Sequence, residues 1–186
     1  MIPLPSPIQP TEIYATFCGP IEQVSVQRIF QGAALAMTNR IGHIYLLFQS
    51  SGGYVGDSVC LYNFFRSLTV DLTLYNVGSI QSGAVVAFLG AKKRKTSAPA
   101  TFMVHRTLVT QQSANTTRLK AATEGIILDD KRTESILREH LKLTDQQWSD
   151  LDNRELYFSG EEAVQVGLAN EIGEFSPPPG TQIFNL

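Results

Sequence analysis

A short apolar run, a glycine-bearing turn and an apolar helical stretch follow one another three times in the first half of this chain, and that order leaves few folds open. Residues 13–17 end in Cys18-Gly19-Pro20 and lead into Val24, Ile29, Ala33, Ala36 and Met37 at approximately helical spacing. Residues 44–48 form a continuous apolar run suited to a strand buried on both faces. It closes in Gln49-Ser50-Ser51-Gly52-Gly53, and a helix from about 54 to 68 follows, with Val55, Val59, Tyr62 and Phe65 three or four apart. Residues 70–77, 78–83 and 84–89 repeat strand, turn and helix. Such units predict an α/β fold with a mostly parallel sheet and helical crossovers.

The second half has a different pattern. A brief strand over 102–104 ends at His105, and residues 117–141 predict a polar helix with a thin apolar stripe of Leu119, Ala122, Ile126 and Ile136. A stripe that sparse suits a projecting helix that makes partner contacts. Thr144 with Gln147 and Ser159 with Glu162 match the capping-box pattern, placing helix starts near Asp145 and Gly160, the second helix ending before Gly167. Pro3, Pro5, Pro7 and Pro10 make residues 1–11 an extended arm, and Ser176-Pro177-Pro178-Pro179-Gly180 opens a similar tail over 176–186. At 186 residues the expectation is a single domain.

Composition narrows the partners. Hydrophobic residues at 43% and charged residues at 17% are those of a folded soluble domain. A net charge of −2 gives no basic field for a phosphate backbone, so nucleic acid is not expected. The basic cluster Lys92-Lys93-Arg94-Lys95 reads as a solvated turn. Cys18 and Cys60 sit in apolar segments without metal-ligand spacing and read as reduced core residues. There is no run of about 18 apolar residues and no basic-then-apolar leader at the start, so the expected location is the cytoplasm, without a membrane partner.

Three features could carry chemistry. Ser82 lies in the turn Gly78-Ser79-Ile80-Gln81-Ser82-Gly83 ahead of a helix, where free backbone amides favour developing negative charge. Gly52-Gly53, at the same place in the preceding unit, leaves an amide open to a ligand oxygen; with the Gly83 amide it would make an oxyanion hole. His105 leaves a core strand and suits a general base. Singly, each has a plainer reading: a helix cap, a tight turn, a structural histidine. Together they supply nucleophile, oxyanion donors and base for acyl transfer, which calls for no metal or cofactor. Asp150, Asp152 and Glu155, just before the last capping box, are the carboxylates available to orient the imidazole.

At this point the chain resembles the Clp protease proteolytic subunit family, within the crotonase-like superfold, from about Ile13 to Ile172. Residues 44–53 are similar to that family's strand ending in Asn-Ser-Pro-Gly-Gly, whose last glycine amide helps form the oxyanion hole; that residue falls on Gly53. Gly78-Ser79-Ile80-Gln81-Ser82 resembles Gly-Gln-Ala-Ala-Ser, putting the nucleophile on Ser82 and the second amide on Gly83. Gly90-Ala91-Lys92 and Phe102-Met103-Val104-His105 resemble Gly-Ala-Lys and Val-Met-Ile-His, putting the base on His105. Tyr157-Phe158-Ser159-Gly160-Glu161-Glu162-Ala163 is similar to Phe-Leu-Ser-Ala-Pro-Glu-Ala, and the family's triad aspartate, four residues before that serine, falls on Glu155, with Asp152 in reserve. Ser51 stands where the family has proline, and the methionine after its serine is missing.

The resemblance implies a serine endopeptidase acting on peptides or unfolded proteins. It further implies a homo-oligomer, such as stacked heptameric rings joined through the handle helix at 117–141, and docking to a Clp-type ATPase. The short proline-rich segment before Ile13 departs from the family's axial loop and leading helix, which argues against that docking. Two other readings compete: a weak or inactive ring subunit with an assembly role, motivated by glutamate at the third triad position, and a crotonase-like acyl-CoA enzyme. The second has no use for a paired Ser82 and His105. A Ser/Lys dyad meets the objection that His105 already stands at the base position.

Overall fold

The computed structural model describes residues 11–108 and 115–186, so the expected proline-rich arm lies, apart from Thr11, outside the described residues. The chain begins with β1 (Glu12–Cys18), α1 (Gln23–Thr38), β2 (His43–Gln49), α2 (Val55–Ser67) and β3 (Asp71–Asn76). Then come β4 (Ser79–Gln81), α3 (Gly83–Leu89), β5 (Lys93–Thr96), β6 (Thr101–Val104) and α4 (Thr116–His140). Last are α5 (Asp145–Asp150), β7 (Leu156–Ser159), α6 (Gly160–Val166), β8 (Glu171–Ile172) and β9 (Ile183–Asn185).

The strands make two sheets. The larger has six strands in the order β8-β5-β3-β2-β1-β9, all parallel. The smaller has the order β4-β6-β7, with β4 parallel and β7 antiparallel to β6. The expected turn at 78–83 thus contains a strand, β4, tied to the end of β2 through a bridge between Ser50 and Ile80. Between the sheets lies α3, whose residues from Ala84 to Leu89 are all buried. Phe88 joins the two layers, its ring centroid 6.4 Å from that of Phe48 and 5.5 Å from that of Phe102. Burying three aromatic side chains this fully makes α3 the fixed point of the fold.

Both capping boxes form as expected, at Thr144 and Ser159, and Gly167 ends α6 at φ 90°. A third helix start went unread: the Ser25 hydroxyl accepts the Glu22 N–H at 2.9 Å at the head of α1. The handle is also as expected, with only Ile136 and Leu137 buried among its described side chains and Leu119, Ile127 and Leu128 exposed.

Four expectations need correction. β2 is buried on one face only: Ile44, Leu46 and Phe48 are buried, while His43, Tyr45 and Leu47 are half-buried. The outer face is covered by side-chain stacking, Tyr45 lying on Tyr14 and on His43, rather than by a helix. The basic cluster is no solvated turn, since residues 93–96 form β5 and Arg94 is 7% exposed. Its guanidinium donates to the carbonyls of Ala91, Leu168 and Gly167, which offset the cost of burying the charge. Cys18 and Cys60 are exposed, not core, because β1 ends at Cys18 and Cys60 lies off the Ser58, Leu61, Tyr62, Phe65 face of α2. Finally, the tail is structured. After β8 it passes over the aromatic face, where Phe175 meets Tyr14 and Tyr75 edge-on at 5.9 and 5.5 Å, and it ends as β9 on the opposite edge of the sheet. No helix among the described residues is long and apolar enough to cross a membrane.

Candidate active site

The site forms where the two sheets meet. Buried Asn76, at the end of β3, accepts the Gly78 N–H at 3.1 Å and donates to the Thr101 carbonyl at 2.9 Å, fixing where β4 starts against β6. One step on, the Ser82 N–H donates to the Met103 carbonyl at 2.8 Å. These bonds hold Ser82 at φ 55°, ψ −130°, a conformation that costs a non-glycine residue about 1–3 kcal/mol and survives only where surroundings enforce it.

Ser82 occupies the cap position of α3, but its side chain makes no capping bond. Instead its Oγ lies 2.7 Å from His105 Nε2, so the plainer reading of this serine as a helix cap fails. Nε2 accepts the hydroxyl proton in the tautomer that carries the imidazole proton on Nδ1. His43 and His140 are engaged elsewhere, with Thr73 and Tyr62.

The glycine turn lies beside this pair. Ile21 donates to the Gly52 carbonyl at 2.8 Å and accepts from the Tyr54 N–H at 3.0 Å, so in this parallel bridge the intervening Gly53 turns its own N–H and C=O away from Ile21. Gly53, Ser58, Ser82, Gly83 and His105 line one cleft of about 120 Å³. Glycine is required on both sides. A Cβ at Gly53 would collide with the Ile21 carbonyl oxygen, and Gly52, at φ 100°, would place one 2.7 Å from the Ser82 Cβ. Ser82, His105, Gly53 and Gly83 are thus brought together.

The carboxylates are not. Glu155 is exposed and its Oε2 accepts the Tyr157 hydroxyl at 2.5 Å. Asp152 accepts from Arg106 Nε at 3.0 Å and Nη2 at 2.7 Å, and Asp150 is held by Arg154 and Gln146. His105 Nδ1 is buried and makes no hydrogen bond among the described residues. Neither Glu155 nor Asp152, the carboxylates expected to orient the imidazole, therefore bonds His105 in this structure.

Sequence reading also missed the anchor behind His105. Arg106 bonds Glu134 of α4 at 2.5 Å as well as Asp152, and the Thr107 N–H donates to Asp130 at 2.8 Å, tying the segment after β6 to the handle. An arginine after the histidine was the available signal, but its partners are remote in sequence. The Arg106 hydrogen bond holds the Glu134 carboxyl below its ordinary range. A lowered folded-state pKa gives stability that is present above the unfolded carboxylate pKa, roughly 4.3, and is lost as pH falls through the folded value. Arg106→Met is therefore expected to lower stability at neutral pH and to flatten the acid limb of a pH series of thermal midpoints.

Comparison with known proteins bears on the family and the fold. A sequence model of the Clp protease family matches residues 12–176. The chain is 28% identical over 131 residues to the ATP-dependent Clp protease proteolytic subunit 2 of Pseudomonas aeruginosa, covering 69% of this chain and 65%, just under two thirds, of that protein. It is 26% identical over 160 residues to the ATP-dependent Clp protease proteolytic subunit of Streptococcus equi subsp. equi, covering 84% of this chain and 82% of that one. Among solved structures it is similar to a point mutant of ClpP1 from Listeria monocytogenes, with a TM-score of 0.75 at 20% identity over 87% of this chain and 91% of that one. That likeness speaks to the fold.

Proposed function

Since the chain belongs to the Clp protease family, we propose that it is a serine endopeptidase that opens peptide bonds through an acyl-enzyme on Ser82. The observation that carries this reading is the 2.7 Å contact between Ser82 Oγ and His105 Nε2 at a serine held in a costly backbone conformation. Ser82 Oγ attacks the scissile carbonyl while His105 Nε2 takes its proton, then returns it to the leaving amine. The Gly53 and Gly83 amides face the oxygen on which charge develops. Water, deprotonated by the same imidazole, then attacks the ester and frees Ser82.

Substrates are peptides or unfolded polypeptide, and the working form is a homo-oligomeric ring. The exposed Leu119, Ile127 and Leu128 on α4 support the second point, because large apolar side chains left in solvent on a helix ask for a partner surface. The test is labelling with a fluorophosphonate. A single adduct on the peptide containing Ser82, together with hydrolysis of fluorogenic peptides, is the expected result.

One observation favours a second reading, a ring subunit with little activity of its own. The bare Nδ1 of His105 leaves the imidazolium that forms in acyl transfer without a counter-charge. A well-formed oligomer that takes up no probe would decide for that role.

A further inference from the structure

The bare imidazole and the misplaced glutamate are two sides of one arrangement. In the β6–β7 ladder Phe102 pairs with Phe158, Met103 with Tyr157 and Val104 with Leu156. The next pair in that antiparallel register is His105 opposite Glu155. Directly opposed residues share a face of the sheet with Cβ atoms about 4.5–5.5 Å apart, which is within the reach of a glutamate. Burial along β7 fixes the face: Leu156 and Phe158 point inward, whereas Tyr157, and with it Glu155 two residues before, points outward. The glutamate thus starts from the position a triad carboxylate needs.

Its carboxylate is bonded elsewhere. The Tyr157 hydroxyl donates to Glu155 Oε2 at 2.5 Å, while His105 Nδ1 is buried and has no hydrogen-bond partner among the described residues. The neighbouring carboxylates among the described residues are engaged elsewhere. Asp152 and Glu134 are paired with Arg106, Asp130 accepts the Thr107 N–H, and Asp150 is paired with Arg154. Tyr157 itself is 65% exposed, so its ring packs against little that would fix the hydroxyl in place. The bond also raises the Tyr157 pKa, as expected of a phenol donating to a carboxylate.

We propose that Tyr157 is a positioning residue: its hydroxyl holds Glu155 off His105, so that the enzyme rests as a Ser82–His105 dyad and becomes a triad when Glu155 leaves Tyr157 for Nδ1. This rests on the peptidase reading for its consequence in rate, but the carboxylate's choice between two donors can be measured separately. When Glu155 moves, the Tyr157–Glu155 hydrogen bond is exchanged for an Nδ1–H to carboxylate bond, and no proton need change owner.

The test compares the parent protein with Tyr157→Phe and with the double variant Tyr157→Phe/Glu155→Gln. One readout is the Nδ1–H resonance of His105 by NMR, identified by its absence from His105→Gln. The other is the rate of fluorophosphonate labelling across pH. In Tyr157→Phe that resonance is expected to move downfield, because a proton hydrogen-bonded to a carboxylate is strongly deshielded. The labelling rate is expected to rise about tenfold. Both changes should vanish in the double variant. A His105 Nδ1–H resonance that Tyr157→Phe leaves where it was overturns the proposal, as does a change that persists without the Glu155 carboxylate. If Ser82 takes no probe in any of the three proteins while the resonance shifts as stated, the peptidase reading fails and the positioning role stands.

Discussion

Replacing Ser82 by alanine is expected to abolish fluorophosphonate labelling and to lower peptide hydrolysis by roughly 10⁶-fold, the scale of loss when a serine nucleophile is removed. The fold should be indifferent, since the side chain makes no capping bond and its one hydrogen bond among the described residues is the 2.7 Å bond to His105. Ser82→Gly sharpens the test. Serine at φ 55°, ψ −130° carries strain that glycine does not, while glycine loses somewhat more entropy on folding. The net expectation is a gain of about 1 kcal/mol, or about 2–4 °C in thermal midpoint for a chain of this size, together with complete loss of activity. A stabilised, inactive variant is what a strained nucleophile predicts. Labelling that survives in Ser82→Ala would move the nucleophile elsewhere.

Gly53→Ala should damage activity and stability together. The added methyl would meet the carbonyl oxygen of Ile21, a fully buried residue whose backbone is bonded to Gly52 and Tyr54, so neither partner can step aside cheaply. Overpacking of this kind costs typically about 1–3 kcal/mol, and more where backbone must move. The same shift would turn the Gly53 amide off the oxyanion, a loss of about 10²–10³ in rate. Gly83→Ala provides the contrast. There the new Cβ meets the Ser58 hydroxyl, the end of a side chain that can rotate, and a smaller loss of stability is expected. Calorimetric midpoints and peptide turnover on both variants check the difference.

What could be read from the sequence follows from where each signal resides. Strands with apolar runs and helices with apolar faces were legible along β1 to α3, because the pattern is local. β5 was not: its residues Lys93, Arg94 and Lys95 carry charge, and only the carbonyls of Ala91, Gly167 and Leu168 make burial of Arg94 tolerable. Ser82 could be singled out because it lies in a turn ahead of an apolar helix, His105 because it leaves a recognisable strand, and Gly53 because it ends a glycine turn. The carboxylate was harder. Glu155 stands one residue before the last ladder pair, Val104 with Leu156, and its carboxylate is bonded by the hydroxyl of Tyr157. No strand pattern encodes that. The outer face of β2 shows the same limit, since its cover comes from Tyr14 and from the tail that brings in Phe175.

β9 has a consequence for how the molecule is made. The strand it covers, β1, comes earliest in the chain among the six described strands of this sheet, and β9 comes latest. Until β9 has been made, the backbone donors and acceptors along that side of β1 lack the strand that pairs with them, which is the state in which edge strands recruit other chains. One border of the sheet is therefore unsealed for as long as the other five strands stand without the sixth.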